Sequence, residues 1–413
     1  MNLIRAITLG GAVSALAMTA TQVNGQADVA TPVLRNGEIG FVVSQMIPAM
    51  ADASSPDACP EGLSISTNEL YKKSLTPEAA AAHDLQLKTA LDNAGGGFGG
   101  YYDIRTHPEW KNPDGSYICD NPQGAPADPY FKTAVNVAGE KVEGMNLDGR
   151  ISRAGKAAPG GCPAQDFTGI NGEAGIDNQF YRAFACVKAY RGEGLGLQGF
   201  QADIFNGSWS LVFKLSGVDS LRDDPAIDVG VYSSADSTQF DGAGAPMPNY
   251  TYDATTNPRY RTTTKGRIVG GVLTTDPVDL RFTVKFNGEP QAYEHYMRGA
   301  RFRLTIGADG KASGYLAGYN DIESFYRNRV GYKPEGRNTT LTTLISSLST
   351  ENGGYTCNGV YAALQRLADG NRDPVTGKCT SISAAMKVKA SPAFVMVPPA
   401  AAPAVVASSG ASK

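Results

Sequence analysis

The residues best suited to chemistry fall in two loops rich in Asp, Asn and Gly. The first, "CPAQDFTGINGEAGIDNQFYRAFAC", runs from Cys162 to Cys186. Asp166 and Asp177 stand twelve positions apart counting both, the span of a helix–loop–helix calcium loop, but Thr168 and Ile170 occupy the third and fifth places and Gly172 comes one place late. A simpler reading makes Asp177 the cap of the helix that follows, because caps are far commoner than calcium loops. The second loop, "ADGNRDPVTGKC", carries Asp369, Asn371 and Asp373 at alternate positions. Hard cations take six to eight oxygen ligands, and this spacing supplies three, with Pro374 where a calcium loop has Gly. The plainer alternative is a turn held by a disulfide. Calcium is the one cofactor these loops suggest.

Histidine is scarce, with only His83, His107 and His295. His107 in "DIRTHPEWK" has Arg105, Glu109 and Trp110 around it, and with a carboxylate it is the candidate for acid–base catalysis. The adjacent acids Asp223 and Asp224 are readily explained as a solvated turn. No serine-nucleophile elbow, zinc-protease helix, phosphate-binding loop or haem-attachment motif occurs. "GLGLQG" at 194–199 fits a dinucleotide glycine pattern but follows no expected strand. Tyr250, Tyr252 and Tyr260 lie in the expected loop "PMPNYTYDATTNPRYR", where exposed rings would suit a carbohydrate or other small organic ligand.

These residues must be held by a framework, and six cysteines supply part of it: Cys59, Cys119, Cys162, Cys186, Cys357 and Cys379. The chain opens "MNLIRAITLGGAVSALAMTATQVNGQA", with Arg5 before a short apolar run, which reads as a cleaved secretory leader over residues 1–27. An even cysteine count behind a leader indicates disulfides in an oxidising compartment, periplasmic or extracellular. Sequence neighbours are the expected pairs: 59–119, 162–186 and 357–379. No cysteine lies at the cleavage point to accept a lipid. The net charge of −3 offers no basic field for nucleic acid, and no segment has the apolar length of a membrane-spanning helix.

Periodicity divides the rest. Residues 28–195 read as mixed helix and loop with two of the disulfides, including a helix capped by Thr76 and a second from Asp177 burying Phe180, Phe184 and Val187. Residues 196–320 change to period two: Trp209, Leu211, Phe213 and Leu215; Leu280, Phe282, Val284 and Phe286; Phe302, Leu304 and Ile306. Alternation of this kind marks half-buried antiparallel strands, and Asn287-Gly288 marks a hairpin. Residues 321–395 read as helical with the third disulfide, with Asn358 as a cap. The Ala/Pro-rich tail, 396–413, has no core pattern. The expected fold is mixed α+β and β-rich: a central antiparallel β-sandwich or jelly roll flanked by disulfide-stapled helical and loop segments. The expected function is a secreted or periplasmic binding protein for a carbohydrate or other small organic ligand, stabilised by calcium; the alternatives are a secreted hydrolase or lyase with a site assembled from distant residues, and a structural envelope protein.

Overall fold

The computed structural model describes residues 34–399 apart from 51–55, 94–106, 138–139, 153–160, 193, 206, 208, 243, 285–292 and 327–352. The expected leader, the Asn287-Gly288 turn and the tail beyond residue 399 lie outside the described residues.

The described strands are β1 (Glu38–Pro48), β2 (Phe167–Thr168), β3 (Ala174–Ile176), β4 (Ser210–Ser216), β5 (Asp224–Ser234), β6 (Tyr250–Asp253), β7 (Arg261–Val269), β8 (Val272–Thr275), β9 (Val278–Val284), β10 (Tyr293–Ile306), β11 (Ala312–Asp321), β12 (Gly370–Arg372) and β13 (Cys379–Met396). Eight of them form a closed antiparallel barrel in the order β1-β4-β5-β7-β8-β10-β11-β13, and β13 pairs back onto β1 from Gly40↔Ala393 to Pro48↔Met386. β6, β9 and β12 attach outside this ring, and β2–β3 form a separate ribbon. The expected sandwich or jelly roll is thereby corrected. Alternation shows that one face of a strand is buried; it does not show whether that face meets a second sheet or the far wall of its own sheet.

The barrel is filled. Phe41, Phe213 and Phe302 stack across its interior, with centroids 4.8 and 5.5 Å apart, among Leu211, Val229, Leu304 and Val388. Eight strands leave an interior just wide enough for side chains to occupy. The outward alternates include Lys214, which pairs with Glu38 at 2.8 Å, and Lys265, which pairs with Asp228 at 2.5 Å. The interior is apolar, and the outer wall carries these charged pairs beside covered apolar residues such as Val42 and Val212; a membrane barrel instead has a polar interior and an apolar outer band. Among the described residues, no helix is long and apolar enough to cross a membrane.

Two of the eight strands come from outside residues 196–320. β13 replaces the helix expected towards residue 395. Its Ala, Ser and Lys content hides the strand, because both of its faces are covered and small residues suffice: Met386 and Val388 enter the barrel while Ala385 meets Met145 and Leu147 outside it. Pro392, which has no N–H to donate, sits where β13 changes neighbour from β11, paired up to Ala390, to β6, paired from Ala393. The run "RIVGGVLT" is a hairpin, not one strand. Gly270 and Gly271, at φ +57° and +79°, form its two-residue turn between β7 and β8.

The disulfides also differ from the neighbour pairing. They are Cys59–Cys186, Cys119–Cys357 and Cys162–Cys379, spanning 127, 238 and 217 positions. The N- and C-terminal regions share a second core, which contains the first two bridges, Trp110, Phe180, Phe184, Tyr326 and Leu364. Because that core is built from both ends of the chain, cysteines distant in sequence become neighbours. Its helix Cys357–Arg366 is capped by Thr356, whose hydroxyl accepts the Gly359 N–H at 3.0 Å, not by Asn358. The same hydroxyl donates to Asp128 at 2.6 Å. Thr356→Ala should therefore cost about 1–2 kcal/mol in denaturant unfolding, from the lost cap and an orphaned acceptor; no measurable change would contradict this role.

Candidate functional site

The two loops singled out by sequence meet. Met145 and Leu147 pack on the outer wall of the barrel against Ala317 and Ala385, which leaves the following turn at the surface. That turn holds itself: Asn146 Oδ1 accepts the Gly149 N–H at 2.7 Å, and Asp148 Oδ1 accepts the Arg150 N–H at 2.8 Å. Asp177, at the end of the β2–β3 ribbon, is 2% exposed, and its Oδ2 accepts N–H groups of Leu147 at 2.6 Å and Asp148 at 3.3 Å. It does not cap the following helix, Gln179–Phe184. Asn178 does, accepting the Tyr181 N–H at 3.1 Å. Asp166 accepts the Ser152 N–H through Oδ2, and its Oδ1 is buried with no donor among the described residues.

Asp369 arrives from the other direction. It follows the helix Cys357–Arg366, and its Oδ1 accepts the Ser383 N–H of β13 at 2.7 Å. Asn371, at φ +52°, donates to Ser381 Oγ at 2.7 Å. Gly370 lies against the Tyr319 ring so closely that a Cβ there would come within 2.4 Å of it. The Cys162–Cys379 bridge ties the first loop to the second. Asp148, Arg150, Asp177, Tyr319, Asp369, Asn371 and Arg372 thus line one cleft of about 260 Å³. Asp373 stands apart. Its Oδ1 accepts the N–H groups of Val375 and Thr376, both at 2.8 Å, and these bonds hold its carboxyl below the usual range.

Electrostatics in the cleft are unbalanced. Burial pushes Asp177 up to about 8, offset in part by the Leu147 N–H and reinforced by the charges of Asp369, Asp148 and Asp166. Burial likewise raises Asp369 to about 7, against the Ser383 hydrogen bonds. Asp166 is raised for the same first reason, and the neighbouring acids push Tyr319 up further than burial alone. Arg182 provides a counter-charge from below. Burial lowers it to about 10, and it is fixed by Gln179 Oε1 at 2.8 Å and by the Phe167 ring at 4.4 Å. Such a cluster can hold protons at neutral pH, or it can hold a hard cation whose charge offsets the repulsion.

Sequence reading missed Asp148 and Tyr319. For Asp148 a signal existed, the Asn-x-Asp-Gly turn at 146–149; Tyr319 looks like any other strand residue. The three tyrosines do not form one exposed patch: Tyr252 is buried on β6 beside β13, its ring 5.5 Å from that of Tyr250, which is 42% exposed, and Tyr260 ends the short turn Pro258–Tyr260. His295 is buried on β10 and lowered to about 4 by that burial. His107 does meet a carboxylate. Its Nδ1 is 3.8 Å from Glu109 Oε1, and His83 Nε2 is 3.1 Å from the same oxygen.

The fold and site define a class: a filled, disulfide-bonded antiparallel barrel with an acidic cleft on its outer wall. No protein-family model, curated protein or solved structure matches the chain.

Proposed function

We propose that this is an exported binding protein whose acidic cleft takes a small polyhydroxylated ligand, a saccharide or a related organic molecule, with calcium contributing to the site. The observation that carries the reading is the convergence of Asp148, Asp177 and Asp369 with Arg150, Asn371, Arg372 and Tyr319 in one cleft. Vicinal hydroxyls donate to carboxylates and accept from guanidinium and amide groups, and a calcium ion among the carboxylates would take further oxygens from the ligand. Because the barrel interior is occupied by side chains, a surface cleft is the place left for such a molecule. Three disulfides, together with the leader expected over residues 1–27, support export to the periplasm or beyond.

The test is calorimetric titration of the full chain with a panel of saccharides, in calcium and in chelator. The expected result is binding that needs calcium and is lost in Asp369→Asn and weakened in Arg372→Ala. Saccharide binding indifferent to Asp369→Asn, or none across the panel, would remove the reading. One observation favours a second function at the same cleft: two buried carboxyls raised to about 8 and about 7 are suited to acid–base hydrolysis. Cleavage of a panel member, abolished in Asp369→Asn, would identify a hydrolase.

A further inference from the structure

A separate cluster lies in the N-terminal region, away from the cleft residues. His83 sits on the helix Pro77–Asn93, and Glu109 on the short turn Pro108–Trp110, which His107 precedes. The helices Thr67–Lys72 and Pro77–Asn93 are clamped by Lys72 Nζ to Asp84 at 2.6 Å, which fixes the turn carrying His83. Pro108 restricts the backbone of His107 to its extended conformation, φ −73° and ψ 144°. Trp110 anchors the turn in the second core.

These elements place Glu109 oddly. Its side chain is 1% exposed, yet among the described residues neither carboxylate oxygen accepts a hydrogen bond. The polar atoms facing it are His83 Nε2 at 3.1 Å and His107 Nδ1 at 3.8 Å. His83 Nε2 is directed instead at Asn68 Oδ1, 2.7 Å away. A buried carboxylate without a donor is costly, and a cation bound among these side chains would offset that cost.

The spacing suits a metal. One ligand atom from each of His83, His107 and Glu109 lies within 4.8 Å of the others. Around tetrahedral zinc, with bonds near 2.0–2.1 Å, ligand atoms sit about 3.3 Å apart; the observed 3.1 and 3.8 Å lie close to that spacing, and the two imidazole nitrogens, within 4.8 Å of each other, would close towards it on binding. Two imidazoles and one carboxylate suit zinc and exclude calcium as the preferred ion, since calcium takes oxygen. We propose that His83, His107 and Glu109 form a zinc-class metal site, with His83 Nε2 exchanging its Asn68 contact for the metal. Three protein ligands leave a fourth position for water or an exogenous ligand, and His107, whose side chain is 19% exposed, marks the open side.

The test uses the full disulfide-bonded chain stripped of metal, titrated with zinc by calorimetry and with cobalt(II) as a spectroscopic probe. One zinc per chain is expected, with calcium failing to compete. Losing a ligand should weaken binding at least about a hundredfold, since outer partners alone cost ten- to a hundredfold. His107→Ala is the decisive variant, because that side chain makes no capping bond; Glu109→Gln is the second, and circular dichroism checks that both fold. Asp177→Asn with Asp369→Asn must leave zinc affinity unchanged, which separates this site from the cleft. No zinc binding by the wild-type chain, or affinity that survives in both His107→Ala and Glu109→Gln, would overturn the assignment.

Discussion

In chelator, the melting temperature should fall as the pH rises from 5 to 9, most steeply near pH 7, and Asp177→Asn should flatten the profile. Asp177 and Asp369 hold their protons up to about 8 and about 7 in the folded chain, whereas an unfolded aspartate releases its proton near 4. Between those limits the native state binds more protons, so its stability declines as pH increases, by about 1.4 kcal/mol per pH unit for each proton held. His295 acts in the opposite sense. Its folded value of about 4 lies below the unfolded value near 6.5, so stability is lost as pH falls through that window. The opposition blunts the acid side and leaves the decline sharpest around neutrality. Calcium should reverse the trend, raising the melting temperature more at pH 8 than at pH 5, where it competes with protons. A flat wild-type profile with or without calcium, or an Asp177→Asn curve that overlays the wild type, would show that the cleft acids are neither strained nor cation-linked.

Removing the Cys162–Cys379 bridge as the double serine variant should cost about 4 kcal/mol in the chain-entropy model and abolish the cleft. Although 217 positions separate the two cysteines, the shorter covalent path runs through Cys119–Cys357, so the loop that is freed is much smaller than the sequence separation implies. The bridge joins the segment leading to Asp166 and Asp177 to the base of β13, next to the Asp369 turn. Without it, the bonds from Arg372 to Gly161 O, at 3.0 and 3.2 Å, and from the Gln179 N–H to Ser383 Oγ, at 2.9 Å, remain to join the two segments. Denaturant unfolding should show the loss of stability, and the calcium response should vanish while zinc binding at His83, His107 and Glu109 persists. A variant as stable as wild type, with its calcium response intact, would mean that packing alone holds the cleft.

The sequence determined what depends on near neighbours. Alternation at Leu211, Phe213 and Leu215, at Leu280, Phe282 and Val284, and at Phe302 and Leu304 marked strands that are present, because a side-chain period of two is a property of one strand. Thr76 was legible as a cap, and its hydroxyl accepts the Ala79 N–H at 3.3 Å. Six cysteines told of three bridges. Each candidate aspartate loop was visible, but not that the two are one place. Tertiary structure alone decided closure of the sheet, which rests on β1 meeting β13 across almost the whole chain. It alone chose the cysteine partners, moved Asp177 from a helix cap to the cleft, turned Asp373 away, and set His83 beside His107 and Glu109. These outcomes depend on contacts between segments tens to hundreds of residues apart. Local spacing carries no record of such contacts, because their energy exists only once both segments are folded against the same core.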